Sequence, residues 1–364
     1  MEIARAIVES GGRALIATEG GRLAARAESA GAEIVEGPFA TKNPIRILAN
    51  ARRLAAVIRA REVDVVHARS RAPAWSGLIA ARRTRTPFVT TWHGVYSERG
   101  PFKRLYNGVM ARGRPIIAIS DFVAAMIRER YGAPSGAIEV IPRGADLTQF
   151  AEERVGAERT VAVARAFGLI DDVRPVALLP GRLSRWKGQE VFVDAAALLK
   201  ARRGAADFLC LIVGEDGGGA GERLIARARA RDALDVLRVA PALEDMPAAL
   251  KLASVVVSAS TAPEAFGRVA VEAQAMGRPV IATDHGGARE TVAPGETGWL
   301  VPPGDAAALA GALDAALSLD PAARARMGAT GRARVAERYT VARMQAATLR
   351  IYARVAGRAF GDAP

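Results

Sequence analysis

Apolar runs alternate with amphipathic stretches along the whole chain, and this alternation predicts parallel sheets with helices on both faces. Six short apolar runs predict strands in the first half, at residues 14–17, 33–35, 63–66, 88–91, 116–118 and 138–141. Six more predict strands in the second half, at residues 176–179, 208–213, 237–239, 255–258, 280–282 and 299–301. The sequence therefore predicts an α/β protein with two doubly wound, Rossmann-like halves.

A more polar region, residues 151–174, separates the two halves. We place an N-terminal domain at residues 1–155, a linker at 156–174 and a C-terminal domain at 175–339. Residues 341–360 are predicted to form one helix. We expect this C-terminal stretch, residues 340–364, to pack back on the first domain.

The chain opens on a predicted helix, at residues 1–10, whereas a doubly wound domain normally opens on a strand. That strand lies near the middle of the sheet, so its absence would leave two neighbouring strands without a partner. We therefore expect the first domain to lack its first strand and the loop after it. An upstream start and a truncation both fit this expectation.

The 364-residue chain is half hydrophobic, which allows a large core, and its 51 Lys and Arg against 38 Asp and Glu give a net charge of +13. The excess of cations fits an anionic partner, such as a nucleotide, an acidic phospholipid or nucleic acid. Specific nucleic-acid binding is not expected, because no zinc-finger spacing, RNP-like aromatic pattern or basic tail accompanies the charge.

No apolar run reaches the ~18 residues of a transmembrane span. The first five residues also lack the basic-then-apolar plan of a signal peptide. We therefore expect a cytoplasmic protein, with peripheral contact at the inner face of the cytoplasmic membrane as a further interpretation of its charge. The single cysteine, Cys210, lies in an apolar run and is predicted to be a core residue.

The most specific chemistry lies between Pro263 and Thr283, which are predicted to form a loop, a short helix and a buried strand. Glu264 stands just before the helix, and Glu272 follows eight residues later. Free backbone amides at a helix N-terminus suit a phosphate, and the two carboxylates suit hydroxyl-rich groups on either side of it. Sugar, diphosphate and ribose are the parts of a nucleotide sugar.

Paired carboxylates also occur in glycosidases, where they lie ~5–9 Å apart. Eight residues of helix span ~12 Å, so separate hydrogen-bonding roles are favoured over a concerted acid/base pair. An exposed helix residue is the other interpretation of Glu272. The apolar neighbours Val269, Ala270, Val271 and Ala273 argue against full exposure.

Three further positions are candidates for ligand contact. Arg182 and Lys187 follow a predicted strand and are placed to clamp a diphosphate, although ordinary surface charges are the alternative interpretation. His93 lies just past a strand in a loop with a glycine, where doubly wound domains place ligand groups. His67 and His285 end strands and fit structural roles. No group of residues has metal-ligand spacing, and no Asp-x-Asp triplet is present, so no metal is expected.

With these residues, nearly the whole chain resembles a retaining glycosyltransferase of family 4, also called glycosyl transferases group 1, with the GT-B fold. Glu264 and Glu272 match the family's two glutamates separated by seven residues, and residues 181–182 with 187–188 match its donor diphosphate clamp. Flanking segments match as well, at residues 141–150, 258–260, 277–281, 286–287, 290–292 and 298–302. The resemblance implies two Rossmann-like domains that face a cleft.

The resemblance also implies roles for individual residues. Arg182 and Lys187 would neutralise the departing nucleotide diphosphate, Glu264 would bond donor sugar hydroxyls, and Glu272 would hold the ribose. His93 would act near the sugar from the opposite domain. Transfer would proceed with retention, without a metal or other cofactor. Further contacts with the nucleotide sugar would come from Gly181, Ala265, Phe266, Gly267 and Arg268.

We therefore predict an enzyme that moves a sugar from a UDP- or GDP-sugar to a cell-envelope glycan or glycolipid, such as lipopolysaccharide core. The alternatives are a nucleotide-sugar epimerase and a truncated, non-catalytic nucleotide-sugar-binding protein, which the missing strand would support. The basic and aromatic stretch 96–106 fits contact with an anionic membrane surface or a lipid-linked acceptor. A solvated loop followed by a helix start is its other interpretation.

Overall fold

The structure is a computed structural model that describes residues 1–96, 98 and 100–358, apart from the side chain of Arg22. The chain divides into two compact units, one of Met1–Arg143 with Val341–Pro364 and one of Gly144–Thr340. Residues 359–364 of the predicted C-terminal helix and Ser97 and Arg99 of the basic stretch lie outside the described residues.

The boundary between the units differs from the predicted one, because residues 144–174 make their contacts inside the second unit. Ala145 N donates to Tyr339 O at 2.8 Å, and Lys251 Nζ donates to Val155 O at 2.6 Å. Glu152 forms ion pairs with Arg278 and Arg332. The predicted linker is therefore a structured part of the second unit.

The first unit alternates helices and strands from its start. Its strands are β1 (Leu15–Thr18), β2 (Glu33–Glu36), β3 (Val66–Ala68), β4 (Phe88–Trp92), β5 (Ile116–Ala118) and β6 (Ile138–Val140). Its helices before the second unit are α1 (Glu2–Glu9), α2 (Arg22–Glu28), α3 (Pro44–Ala60), α4 (Arg71–Thr84), α5 (Pro101–Asn107) and α6 (Asp121–Tyr131). Short 3₁₀ turns add Gly108–Arg112 and Ser135–Ala137.

These strands form two separate parallel sheets. One contains β1 and β2, and the other has the order β3-β4-β5-β6. Among the described residues, β1 and β3 each pair on one side alone, which is the division expected when a central strand is missing. Helix α1 packs on both sheets, since Ile3 lies in one buried apolar cluster with Val89 and Ala4 lies in another with Ala14.

One predicted strand of this unit is displaced. Residues 63–66 were expected to be extended, but β3 begins only at Val66. Val63 N donates to Ile58 O at 3.0 Å, and Glu62 takes a positive φ of 51°. Glu62 and Val63 therefore complete the C-terminal turn of α3, and the strand begins three residues after Val63. The other eleven predicted strands are confirmed within one or two residues at each end.

The second unit holds one six-stranded sheet. Its strands are β7 (Val176–Pro180), β8 (Leu209–Gly214), β9 (Leu237–Pro241), β10 (Ala253–Ser258), β11 (Val280–Thr283) and β12 (Gly298–Val301). Its helices are α7 (Ala157–Ala166), α8 (Gln189–Arg203), α9 (Ala220–Ala230), α10 (Met246–Leu252), α11 (Arg268–Ala275), α12 (Ala288–Thr291), α13 (Ala306–Leu317) and α14 (Pro321–Arg338), with 3₁₀ turns at Glu152–Arg154 and Arg185–Lys187.

This sheet is parallel throughout, with the order β12-β11-β10-β7-β8-β9. The chain winds from β7 to one edge of the sheet and then returns to place β10 on the other side of β7. Because both faces are covered by helices, β7 and β8 are buried at every residue. Cys210 is a fully buried core residue, as predicted.

The C-terminal helix α15 (Val341–Ala356) belongs to the first unit. Its Met344, Ile351 and Tyr352 are buried in one apolar cluster with Val89 and Ile117 of the sheet.

Taken singly, none of the helices that the structure describes has both the length and the apolar composition of a membrane span. The consecutive helices α13 and α14 meet those two criteria only as a pair, which is bent by 109°.

A substitution at Gly188 tests how closely the loop after β7 packs in the second unit. Gly188 has a left-handed conformation (φ 74°), and a Cβ there would lie 1.8 Å from Ala259 O. Gly132 in the first unit has a similar conformation (φ 63°) with no atom within 4 Å of the added Cβ. We expect Gly132→Ala to cost about 1 kcal/mol from backbone strain alone. Gly188→Ala should cost about 2–4 kcal/mol, because overpacking adds about 1–3 kcal/mol.

Urea-unfolding midpoints of the two variants measure this difference. Equal shifts for Gly132→Ala and Gly188→Ala would show that the loop after β7 does not approach Ala259 as closely as the structure has it.

Candidate active site

The second unit has its topological switch point between β7 and β10, because the chain leaves these adjacent strands in opposite directions. Parallel α/β sheets bind ligands at the carboxyl ends of such strands. The loop from Gly181 to Gly188 follows β7, and the loop from Ala259 to Gly267 follows β10. These two loops contain the predicted clamp and the first predicted glutamate.

The two loops touch through their backbones. Thr261 N donates to Trp186 O at 2.8 Å, and the absence of a side chain at Gly188 lets the first loop lie against Ala259. The buried Gln189 donates from Nε2 to Arg182 O at 3.1 Å. The loop after β7 is therefore fixed by bonds at both of its ends.

An ion pair joins the two loops at the switch point. Lys187 Nζ lies 2.7 Å from Glu264 Oε1, and the two side chains are only 19% and 12% exposed. Ser260 Oγ donates to the same carboxylate oxygen at 2.5 Å. Within the part of the chain that the structure describes, Glu264 Oε2 has no hydrogen-bond partner, so it presents an acceptor to a ligand hydroxyl.

Sequence reasoning did not single out Ser260 as a site residue, although its segment matched the family. The residue is buried, and its carbonyl accepts from Thr283 Oγ1 and from His285 Nε2, both at 2.8 Å. The proton of His285 therefore lies on Nε2. These bonds hold Ser260, which in turn orients Glu264, so His285 has the structural role that was predicted for it.

The glycines after β11 approach the Glu264 loop rather than an open space. A Cβ at Gly286 would lie 2.5 Å from Glu264 O, and one at Gly287 would lie 2.5 Å from Phe266 Cα. Gly287 N donates to Glu264 O at 2.9 Å. Both glycines are thus required to hold the loop that carries the carboxylate.

Helix α11 presents its N-terminus next to this loop. Gly267 caps the helix with φ 91°, and within the described residues no side-chain cap bonds the first amides of the helix. Phe266 is buried and packs edge-on against Tyr339, with ring centroids 5.6 Å apart. Its side chain is therefore structural, while the backbone of 265–268 remains suited to a phosphate.

The second glutamate lies on α11 with a partner of its own. Glu272 is 15% exposed, which confirms that it is not a solvated surface residue, and Arg268 Nη2 lies 2.7 Å from its Oε1. Glu264 and Glu272 thus have different cationic partners. This arrangement favours separate roles over a concerted acid/base pair.

Arg182 is exposed in the loop that also carries Lys187. Among the described residues, no carboxylate lies within ion-pair distance of its guanidinium. Its charge is therefore available to an anion, and its place in a diphosphate clamp stays a prediction.

His93 lies in the first unit, directly after β4. Arg69 Nε donates to His93 Nε2 at 3.3 Å, so the ring proton lies on Nδ1. Burial, and then the charges of Arg69 and Arg143, lower the pKa of His93 to about 3. The ring is therefore neutral at physiological pH and offers Nδ1–H as a donor. Arg69 was missed by sequence reasoning, although its position after β3 is a typical ligand position.

His67 has a structural role in the same unit. Its Nδ1 lies 2.5 Å from Tyr352 Oη, and its Nε2 lies 2.7 Å from Thr91 Oγ1. Burial lowers the pKa of His67 and raises the pKa of the Tyr352 hydroxyl, so the bonded pair is neutral.

No group of three or more His, Cys, Asp or Glu is arranged to hold a metal in the described residues.

Both halves of the chain match known protein families. Family models match residues 1–149, described as Glycosyltransferase Family 4, and residues 162–334, described as Glycosyl transferases group 1. A glycosyltransferase structure from Rickettsia africae ESF-5 is 33% identical, with a TM-score of 0.90 over 97% of this chain and 93% of that one.

Two further relatives carry more specific names. A structure of Anabaena Alr3699/HepE in complex with UDP-glucose is 25% identical, with a TM-score of 0.80 over 96% of this chain and 94% of that one. A D-inositol 3-phosphate glycosyltransferase of Pseudarthrobacter chlorophenolicus is 35% identical over 280 residues, or 73% of this chain. The match spans 64% of that relative's length. The chain therefore belongs to glycosyltransferase family 4, the glycosyl transferases group 1, and its two units have the Rossmann-like parallel sheets of the GT-B fold.

Proposed function

We propose that the protein transfers a sugar, with retention of its anomeric configuration, from a nucleotide-sugar donor to a cell-envelope acceptor. The contact of Lys187 with Glu264 at the switch point of the second sheet carries this proposal. A cation suited to a diphosphate and a carboxylate suited to sugar hydroxyls lie side by side there. This is also where doubly wound sheets bind nucleotides.

Each part of the donor has a matching group. An ammonium has three donors, and Glu264 uses one of those of Lys187, so two are left for diphosphate oxygens. The uncapped amides of α11 and the exposed Arg182 supply further donors to the same anion. Glu264 Oε2 accepts from a sugar hydroxyl, and Glu272 accepts from the ribose hydroxyls.

In the proposed reaction, the bond from the anomeric carbon to the diphosphate oxygen breaks, and both electrons stay with the diphosphate. Lys187 and Arg182 stabilise this charge as it develops. An acceptor oxygen then bonds to the anomeric carbon on the face that the diphosphate leaves, and its proton passes to a diphosphate oxygen. This sequence requires no metal and no protein nucleophile.

A UDP-sugar is the first donor to test, because a relative at 25% identity is described in complex with UDP-glucose. A GDP-sugar is the second. The proposed acceptor is a glycan or glycolipid handled at the inner face of the cytoplasmic membrane, such as lipopolysaccharide core. An inositol phosphate is the second candidate acceptor, favoured by the name of the 35% identical relative. An epimerase would instead convert the donor with no acceptor present.

Lys187→Ala tests the diphosphate contact. We expect kcat for sugar transfer to fall about 10²–10³-fold, the usual loss for one preorganised donor to developing charge. Lys200→Ala is a matched control, because Lys200 is also 19% exposed and also paired with carboxylates, at the far end of α8. Initial rates with saturating UDP-glucose measure both variants. Equal rates for the two variants would contradict the proposed role of Lys187.

Glu272→Ala tests the ribose contact. We expect weaker binding of both UDP and UDP-glucose, because the ribose is common to the two ligands, and little change in kcat. A ligand at a hundredfold excess over Kd stabilises the folded state by about 2.7 kcal/mol, so thermal shifts report the loss. Glu190→Ala, which removes an exposed glutamate of α8, serves as the control. A variant that lost binding of UDP-glucose but not of UDP would place Glu272 at the sugar instead.

The neutral state of His93 is tested by NMR, since the chain has only three histidines. We expect no titration of the His93 ring between about pH 5 and pH 8. Arg69→Ala should raise its pKa while leaving it below 6.5, because burial is the larger cause.

The sign for stability follows from the lowered pKa of His93. The contribution of His93 to the free energy of unfolding is complete above pH 6.5, the pKa of the ring in the unfolded chain. This contribution is lost as the pH falls toward about 3, the pKa of the ring in the folded protein. Stability should therefore decline less steeply over this range in His93→Gln. A His93 resonance that titrates near pH 6.5 would show that the ring is not held neutral.

A further inference from the structure

Four large apolar side chains stand exposed on two helices of the first unit. Ile45 and Leu48 on α3 are 77% and 45% exposed, and Phe102 and Leu105 on α5 are 86% and 66% exposed. The two members of each pair are three positions apart in the chain, so they share one side of a helix. Apolar groups of this size rarely remain in water without a partner when they are grouped together.

Both helices are bonded to α4, which links them. Ser76 Oγ donates to Ile47 O and the adjoining Trp75 donates from Nε1 to Tyr106 O, both at 3.2 Å. Lys42 Nζ, just before α3, lies 5.9 Å from the centre of the Tyr106 ring at the end of α5. These contacts bring the start of α3 close to the end of α5, and the four exposed apolar side chains with the cations beside them are here named the basic apolar face.

Cations border this face, and acidic residues are absent from the elements that form it. Lys42 precedes the apolar pair on α3 and Arg46 lies between its members, and Lys103 and Arg104 lie between the members of the pair on α5. The chain has no Asp or Glu between Glu36 and Glu62, nor between Asp64 and Glu98. The sequences of α3, α4 and α5 therefore carry positive charges alone.

We propose that the basic apolar face docks on an anionic lipid bilayer, with the four apolar side chains inserted among the lipids and the cations bound to acidic headgroups. The proposal deepens the proposed function, because an acceptor with a lipid anchor would then be presented to the first unit. Apolar insertion combined with cationic attraction is the physical basis of peripheral membrane binding.

Charge favours a bilayer over a second copy of the chain. In a two-fold symmetric dimer the same surface meets itself, so Lys42 and Arg46 of one copy would face cations of the other. This repulsion would have no acidic residue on these helices to offset it. An anionic bilayer supplies the missing negative charge and the apolar surroundings together.

The test measures cosedimentation of the full chain with vesicles of phosphatidylcholine, alone or mixed with phosphatidylglycerol. We expect the protein to pellet with the mixed vesicles only. Replacement of Ile45, Leu48, Phe102 and Leu105 by Ser should abolish pelleting. Arg46→Gln should lower the partition coefficient about fivefold, the usual effect of one cation near an anionic surface.

Matched controls separate this face from general hydrophobicity and from the donor site. Ile170→Ser with Val173→Ser removes apolar side chains that are 50% and 97% exposed in the second unit, and it should pellet like the wild type. Lys187→Ala should also pellet normally. The four-serine variant should bind UDP with unchanged affinity, because its substitutions lie outside the donor site.

Two outcomes would overturn the proposal. Unchanged pelleting of the four-serine variant would show that another surface binds lipid. Failure of the wild type to pellet, with a dimer in light scattering that the four-serine variant lacks, would assign the face to self-association. A failure of the proposed function is distinguishable from both, since it appears as unaltered sugar transfer by Lys187→Ala while the vesicle results stand.

Discussion

The ion pair of Lys187 and Glu264 is the interaction on which the arrangement of the second unit's site depends. Both side chains are less than one fifth exposed, and a half-buried charge is costly unless it is paired. The pair forms because β7 and β10 are neighbours in the sheet, so the loops that follow them lie side by side. Topology thus brings together two residues that are 77 positions apart in the chain.

Three glycines allow the loops around Glu264 to lie this close to one another. Gly188 lets one loop reach Ala259, and Gly286 and Gly287 let a third loop lie against the backbone of residues 264–266. Ser260, held at its carbonyl by two further bonds, then completes the surroundings of Glu264 Oε1. Among the described residues all side-chain bonds to the Glu264 carboxylate go to Oε1, and Oε2 is left as an acceptor for a ligand.

The fold was largely predictable from sequence, because strands buried on both faces read as continuous apolar runs that few other structures explain. Lys187 and Glu264, which local spacing singled out, lie in contact in the structure, while the diphosphate clamp and the roles of the two glutamates stay predictions. The roles of Ser260 and Arg69 were not predicted, because they depend on contacts with residues distant in the sequence. The same holds for the Glu264 oxygen that stays available to a ligand. The domain boundary was misplaced for a similar reason, as the ion pairs of Glu152 join it to residues more than 120 positions away.

The first unit shows the same dependence on distant residues, through α15. The sheet of this unit is divided, and α1 packs on both parts. Helix α15 supports α1 directly, since Gln345 Nε2 donates to Glu2 O at 2.8 Å, and it supports β3 through the bond of Tyr352 to His67. Burial keeps that bonded pair neutral, and the pKa of His93 is lowered first by burial and then by the charges of Arg69 and Arg143. The C-terminal helix therefore holds the strand directly after which Arg69 reaches the ring of His93.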